Sequence, residues 1–163
     1  MQKDYSIRTE LKEGDIISIL NFHRDIYKKE YSYGIEFENY VRTGLKEFED
    51  TYDPQSSRVW ICERNNKIIG SLILENRGDA AQLRFFLIDP EFRGIGLGKA
   101  LLKNFFDFVS DYGYKSAYLW TTNEQEKAIE LYSKFGFILT SEIISCRFGK
   151  KLTEKRFDYF RSE

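Results

Sequence analysis

Three glycines alternate with other residues in one segment of the chain, Arg93-Gly94-Ile95-Gly96-Leu97-Gly98-Lys99. Glycine lets the main chain come close to an anion, and the start of a helix offers unpaired amides and a partial positive charge. Arg93 and Lys99 add a cation at each end of the segment. The pattern therefore predicts a phosphate-binding loop, although a glycine-rich turn without a ligand would have the same composition.

The spacing of these glycines excludes two common nucleotide sites. A P-loop ends in Gly-Lys followed by Ser or Thr, with an earlier glycine five residues before the last one. Here Arg93 holds that earlier position and Ala100 follows Lys99, so no hydroxyl is available for magnesium. A dinucleotide fingerprint would need its third glycine where Lys99 or Leu101 stands. The predicted phosphate belongs to a different kind of ligand.

A second segment, around Tyr132, has the spacing of a short helix. Tyr132 belongs to an apolar face of helical spacing that runs from Ala128 to Phe135 and is closed by Gly136. From this periodicity alone, the Tyr132 side chain is expected to pack in the core.

Metal chemistry is not expected. The two cysteines, Cys62 and Cys146, lack the spacing of metal ligands and lie in strand-like stretches, which predicts buried thiols. The single histidine, His23, falls within a helix pattern, where a packing or surface role is more common than catalysis.

The glycine loop lies between a strand pattern and a helix pattern. An apolar run from Leu83 to Ile88 predicts a buried strand, which Asp89-Pro90 ends. After the loop, apolar residues repeat at helical spacing as far as Tyr112, and Gly113 is predicted to be the C-cap. The strand and the helix together would hold the loop in place.

The rest of the chain reads as one α/β domain spanning residues 1–163. Asp15 is predicted to cap the first helix, and a hairpin turn is predicted at residues 64–66. A strand after the central helix implies a parallel pair. Strands are predicted at residues 5–9, 58–63, 67–74, 82–88, 115–122, 137–147 and 155–160, and further helices at 15–27, 37–48 and 128–135.

Composition excludes several classes of protein. The chain has 163 residues, enough for one well-packed core, and its 25 basic and 26 acidic residues nearly cancel. A nucleic-acid partner bound by broad electrostatic attraction is therefore not expected. No apolar run reaches the roughly 20 residues of a membrane span, and no signal peptide is recognised, so we expect a cytoplasmic protein without a membrane partner.

Both motifs resemble those of the GNAT N-acetyltransferase family. Residues 93–98 match its pattern Gln/Arg-x-x-Gly-x-Gly/Ala, and residues 128–137 are similar to Ala-x-x-Leu-Tyr-x-x-x-Gly-Phe. Residues 78–98 and 147–160 look like GNAT modules sometimes fused to MarR-type DNA-binding domains, although no such domain is expected in this chain. The resemblance implies a mixed, mostly antiparallel sheet of six to seven strands. It further implies a parallel pair splayed around the central helix, and about four flanking helices.

The resemblance also implies acetyl-CoA as cosubstrate and roles for particular residues. Tyr132 would reach the thioester sulfur and protonate the departing thiolate. Leu87 and Ile88 would bind pantetheine through their backbones, with an amide near Ile88 facing the oxyanion. Gln125 stands where many relatives have asparagine. The pyrophosphate would be held at Arg93, Gly94, Ile95, Gly96, Leu97, Gly98 and Lys99.

The general base is harder to assign. An alkyl amine has a pKa of roughly 10, so the site must remove a proton before the amine attacks the thioester. Gln82 stands where some relatives carry glutamate. Glu30 and Glu36, near the junction of the first two helices, are candidates acting through water, with a solvated helix face as the alternative. A period of two would place four residues on one face of the strand, none of them acidic: Gln82, Arg84, Phe86 and Ile88.

The leading hypothesis is an acetyl-CoA-dependent N-acetyltransferase acting on a primary amine, with Tyr132 and Glu30 as catalytic residues. An acyl-CoA-binding module without turnover is the alternative. Gln82 and the near-neutral charge favour a small-molecule amine over a protein amine. Homodimerisation is left open by the sequence.

Overall fold

The computed structural model describes residues 4–162, which form a seven-stranded sheet and four α-helices. Neighbouring strands are antiparallel in the order β1-β2-β3-β4-β5-β7-β6, except for the parallel pair β4–β5. The predicted fold class is confirmed. The elements are β1 (Ser6–Arg8), α1 (Asp15–Tyr31), α2 (Ile35–Asp50), β2 (Arg58–Arg64), β3 (Lys67–Arg77), β4 (Ala80–Ile88), α3 (Leu97–Tyr112), β5 (Ser116–Thr122), α4 (Glu126–Lys134), β6 (Ile138–Ser145) and β7 (Leu152–Phe160).

Each face of the sheet is covered by a hydrophobic core. Leu101 and Phe105 of α3 pack on one face, and Leu45 of α2 packs on the other together with residues of α1. The consecutive β3 residues Leu72 and Ile73 belong to opposite cores, because side chains alternate along a strand. Burial on both faces explains why the central strands read as continuous apolar runs.

Asp15 is not the cap of α1, as predicted, but its first residue. Gly14 precedes it with a φ of 88°, and the Asp15 carboxylate accepts hydrogen bonds from Arg8 Nη1 at 2.7 Å and from the Lys12 amide at 2.6 Å. The carboxylate therefore ties the start of α1 to β1. No pattern in the sequence identifies Arg8 as the partner of Asp15.

The parallel strands β4 and β5 separate soon after they pair. Their register contains three residue pairs, which end at Gln82 and Tyr118. Beyond that point β4 keeps its pairing with β3, while its other edge faces a gap. The parallel pair and the splay that the sequence resemblance implied are both present, and the gap exposes main-chain groups on β4 at the centre of the molecule.

Because of a bulge in β4, the four residues of this strand that were predicted to share one face lie on two opposite faces. The register with β3 shifts at Phe85, which has a φ of 51°, so that Phe85 and Phe86 together oppose one residue. An extra residue reverses the alternation of side chains. Gln82 and Arg84 consequently lie on the side of α1 and α2, whereas Phe86 and Ile88 lie on the side of α3.

A glycine within α2 makes room for a buried arginine of β4. A Cβ atom added to Gly44 would lie 2.5 Å from Nη2 of Arg84 and 2.8 Å from the ring of Phe85. Glycine inside a helix costs about 1 kcal/mol relative to alanine. Glycine at position 44 leaves the space that the Arg84 guanidinium group occupies, which explains its presence within the helix.

We expect the Gly44→Ala variant to be less stable than the native chain, by about 1–3 kcal/mol of unfolding free energy, despite its better helix propensity. The new methyl group must displace Arg84 or Phe85. Denaturant unfolding measures the effect. Thr43→Ala, at the exposed neighbouring position, is the control and should be nearly neutral. A Gly44→Ala protein as stable as this control would contradict the packing.

The two cysteines differ in exposure. Cys62 is buried as predicted, and burial raises the pKa of its thiol to about 12. Cys146 was predicted to be buried but is exposed, because β6 ends at Ser145 and the connection to β7 begins there. That connection is also shorter than predicted, since β7 starts at Leu152 rather than at residue 155.

Candidate active site

A cavity of about 660 Å³ lies between the glycine loop, α4 and the end of β4. Most of the predicted cofactor-binding residues line it: Leu87, Ile88, Arg93, Gly94, Gly96, Leu97, Gly98, Lys99 and Gln125. Ile95 and Tyr132, which were also predicted to bind the cofactor, do not line it: Ile95 has an exposed side chain, and Tyr132 lines a smaller cavity. We call the larger space the donor cavity. The loop and the splayed strand thus open onto one volume, as the sequence implied.

The glycine loop leaves its main chain accessible. Gly94 and Gly96 have φ values of 81° and 88°, and a Cβ atom at either position would meet nothing within 4 Å. α3 begins directly afterwards at Leu97, and the amides of its first turn have no partner within the helix. Amide donors at the positive end of a helix dipole suit a pyrophosphate.

Arg93 and Glu30 form a bidentate ion pair at the edge of the donor cavity. Nη1 and Nη2 of Arg93 donate to the two carboxylate oxygens of Glu30 at 2.8 and 2.6 Å. Nε of Arg93 donates to the Ile88 carbonyl at 3.0 Å. The pair joins the end of α1 to the loop and to β4, and it holds the carboxylate that the sequence suggested as a base.

A smaller cavity of about 90 Å³ lies in the gap between β4 and β5, on the side of α1 and α2. It shares Tyr27, Phe86 and Gln125 with the donor cavity. We call it the acceptor cavity. The Gln125 amide oxygen accepts hydrogen bonds from the hydroxyls of Thr121 at 3.1 Å and Tyr27 at 3.5 Å, which joins α4, β5 and α1 at the boundary between the cavities.

Tyr132 lines the acceptor cavity near this boundary. Its ring lies 5.9 Å, centroid to centroid, from that of Phe86, and 4% of the residue is exposed. Burial, and secondarily the nearby Tyr31, raises the pKa of its hydroxyl. The group is therefore protonated at neutral pH and is able to donate a proton rather than accept one.

His23 lines the acceptor cavity as a neutral, buried side chain. Its Nδ1 donates to the Ile19 carbonyl at 2.9 Å, and its ring stacks on that of Tyr27. Burial lowers the pKa of the imidazole to about 4. The packing role that the sequence favoured agrees with these contacts.

Acidification should destabilise the fold through His23. The His23 imidazole has a pKa near 6.5 in the unfolded chain and about 4 in the folded chain. Its contribution to the unfolding free energy is therefore fully present above pH 7 and decreases as the pH falls from 6.5 to 4. We expect a loss of about 2 kcal/mol in unfolding free energy between pH 7 and pH 5.

Denaturant unfolding of the native chain and of His23→Gln at both pH values measures this contribution. The variant should lose much less stability over the interval. Asp15 does not interfere, because Arg8 and the Lys12 amide hold its pKa below 3.8, so its stabilisation is lost only in more acidic solution. Equal losses in the two proteins would exclude His23 as the source.

Several residues of the acceptor cavity were not anticipated as site residues, among them Tyr27, Trp120, Arg147, Phe148 and Glu154. Tyr27 could have been noticed, since it falls one helical turn after His23 on the buried face of α1. Arg147 and Glu154 come from the connection and strand at the far end of the chain. Their contribution depends on tertiary structure, which a linear pattern does not contain.

Within residues 4–162, no group of three or more His, Cys, Asp or Glu side chains is placed to hold a metal ion. Over the same residues, none of the helices is both long enough and apolar enough to cross a membrane.

Comparison with known proteins assigns the chain to a family. The model of the acetyltransferase (GNAT) family matches residues 20–137, most of the chain. The chain belongs to this family. Acetyl-CoA is the cosubstrate of GNAT acetyltransferases, and the donor cavity with its open loop amides fits such a molecule.

Individual GNAT proteins are similar over most of the chain. An uncharacterized N-acetyltransferase of Methanocaldococcus jannaschii is 26% identical, over 83% of this chain and 61% of its own length. The chain thus spans about three fifths of this relative. An acetyltransferase structure from Streptococcus agalactiae has a TM-score of 0.79 at 19% identity, covering 98% of this chain and all of that one.

A spermidine N-acetyltransferase from Vibrio cholerae, solved with CoA and spermine, has a TM-score of 0.70 at 21% identity. The structural match covers 96% of this chain and 95% of the Vibrio cholerae chain. At such identities these two structures establish the fold alone.

Proposed function

We propose that the chain is an acetyl-CoA-dependent N-acetyltransferase that transfers the acetyl group to a primary amine by direct attack on the thioester. One observation carries the proposal. The donor cavity and the acceptor cavity meet at Tyr27, Phe86 and Gln125, in the gap where β4 leaves β5. Two substrates that enter from opposite sides would meet at this boundary, with their reacting atoms held in place.

The glycine loop and β4 would hold the donor. Amides from Gly94 to Lys99 are assigned to the pyrophosphate, with Arg93 as the flanking cation. The backbones of Leu87 and Ile88, on the unpaired edge of β4, are assigned to pantetheine. An amide near Ile88 is assigned to stabilise the negative charge that develops on the carbonyl oxygen, where such donors contribute most to the rate.

Tyr132 is assigned as the general acid. The thiolate that leaves in the reaction needs a proton. A tyrosine carries one at neutral pH already at its ordinary pKa of about 10, and burial raises the pKa of Tyr132 further. Its place near the boundary of the cavities supports this role. The side chain would donate the proton to the sulfur as the carbon–sulfur bond breaks.

Glu154 is the carboxylate best placed to receive the proton of the amine. It is the one acidic side chain lining the acceptor cavity within the described part of the chain, and the residue is buried. Glu30, suggested by the sequence, lines the donor cavity and is engaged by Arg93. Both carboxylates are ion-paired, Glu30 with Arg93 and Glu154 with Arg147, so the cavity that each one lines decides between them. A catalytic role for Glu30 stays a prediction.

A binding module without turnover is the second candidate, because a donor cavity alone would serve it equally well. Free-thiol release from acetyl-CoA over a panel of amines separates the two. The transferase must release thiol in an amine-dependent manner. Binding of CoA without release with any amine would favour the module.

Other sequence-based expectations stay predictions. They are the single-domain organisation over residues 1–163, the cytoplasmic location, homodimerisation and the likeness to GNAT modules fused to MarR-type regulators. The preference for a small-molecule amine over a protein amine also stays a prediction. The 90 Å³ volume of the acceptor cavity agrees with a small amine-bearing group.

A further inference from the structure

The charges around the acceptor cavity do not balance. Nη1 of Arg84 lies 3.1 Å from an oxygen of Glu75, and Arg77 lies 3.2 Å from the same oxygen. On the other side, Nη2 of Arg147 lies 2.6 Å from a carboxylate oxygen of Glu154. Three guanidinium groups thus share two carboxylates, which leaves this cluster with one excess positive charge.

Two of these guanidinium groups face the same ring. The Cζ atoms of Arg84 and Arg147 lie 5.6 and 4.8 Å from the centroid of Tyr40, and both arginines line the acceptor cavity. Cations attract aromatic faces, so the ring holds both groups near each other despite their like charge. The described residues that line the cavity therefore include two cations, Arg84 and Arg147, and one anion, Glu154.

Arg84 is a mostly buried charged side chain. Its side chain is only 11% exposed, and it occupies the space that Gly44 leaves in α2. Burying a charge is unfavourable unless it is paired, yet Arg84 shares its carboxylate with Arg77. A guanidinium group has five donors in a planar fork that matches a carboxylate. An anion in the cavity would supply the missing charge.

We propose that Arg84 and Arg147 bind a carboxylate of the acceptor, so that the acceptor is an amine that also carries a carboxylate, as an amino acid does. The inference rests on the proposed function. The carboxylate would lie against the two guanidinium groups while the amine points towards the boundary with the donor cavity. A polyamine fits less well, because its cations would meet the excess positive charge, and Glu154 is already paired.

Kinetics with matched amines test the proposal on the full chain. Each of the twenty amino acids is compared with its decarboxylated amine by thiol release from acetyl-CoA. We expect amino-acid substrates to have an acceptor KM about tenfold to a hundredfold below that of the matched amine, the effect of charge-assisted hydrogen bonds. Equal KM values, or a preference for polyamines, would overturn the inference.

Two variants assign the effect to the arginines. Arg147→Gln and Arg84→Gln should each raise the KM of the amino acid towards that of its amine, with the KM for acetyl-CoA little changed. Arg147 is half exposed, so its variant remains informative if Arg84→Gln fails to fold. Arg58→Gln is the control, because Arg58 also stacks on a ring, that of Phe108, but lines neither cavity.

Calorimetry with the same amino acids on the CoA-saturated protein separates the two proposals. Binding that Arg147→Gln weakens at least tenfold supports the carboxylate site even in a chain without turnover, in which case only the transferase function fails. Turnover with amines but no dependence on Arg84 or Arg147 refutes the carboxylate site and leaves the transferase function intact. Neither turnover nor amino-acid binding would refute both.

Discussion

The Tyr132→Phe variant is expected to lower kcat for amine acetylation by about 10²–10⁴-fold, the usual contribution of a positioned acid or base. The phenyl ring keeps the contact with Phe86 but has no proton to give. Because the thiolate would then leave without protonation, the chemical step slows, whereas acetyl-CoA binding does not depend on this hydroxyl. Steady-state kinetics and calorimetry with CoA measure the two quantities.

A buried tyrosine elsewhere in the fold is the control for this substitution. Tyr114 is also buried, and its hydroxyl donates to the Ser56 carbonyl far from both cavities. Tyr114→Phe should lose about 1 kcal/mol of stability with its hydrogen bond and retain its kcat. A Tyr132→Phe enzyme that is as fast as Tyr114→Phe would remove Tyr132 from the mechanism.

The Gly96→Ala variant is expected to raise the dissociation constant of CoA by about tenfold to a hundredfold. A methyl group would stand where the pyrophosphate approaches the loop, and the φ of 88° is unfavourable for alanine, so the loop would tend to change shape. Amide hydrogen bonds to a charged group contribute about 1.5–3 kcal/mol each, which sets the size of the effect.

Gly113→Ala is a close control for this backbone strain. Gly113 caps the other end of α3 with a φ of 94°, and an added Cβ atom there also meets nothing within 4 Å. Both substitutions should cost about 1–2 kcal/mol of stability. Only Gly96→Ala should weaken CoA binding, which calorimetry measures. Equal CoA affinity in the two variants would show that the loop does not hold the pyrophosphate.

The features of this fold that could be predicted from the sequence have local causes. The glycine loop, the cap at Gly113 and the turn at Asn65 and Asn66 each depend on a backbone conformation that few residues adopt, so the residue types mark them. Tyr132 was predicted as a site residue because it belongs to a motif, whereas its periodicity alone is that of a core residue.

What could not be predicted depends on contacts between distant segments. The ion pair of Arg93 with Glu30 joins residues far apart in the chain, and neither residue type indicates its partner. The bulge at Phe85 lies within a uniformly apolar run, where no change of pattern marks the extra residue. For that reason Arg84 could not be assigned to the acceptor side before the structure was known.

The bulge at Phe85 also divides β4 into two parts that line different cavities. Residues 82–85 contact the acceptor cavity alone, residues 87–88 contact the donor cavity alone, and Phe86 contacts both. Under the proposed function, we expect substitutions at positions 82–84 to alter the choice of amine while the thioester site keeps its shape. Acceptor recognition can therefore be diversified, by natural selection or with a directed library at positions 82–84, independently of the common acyl donor.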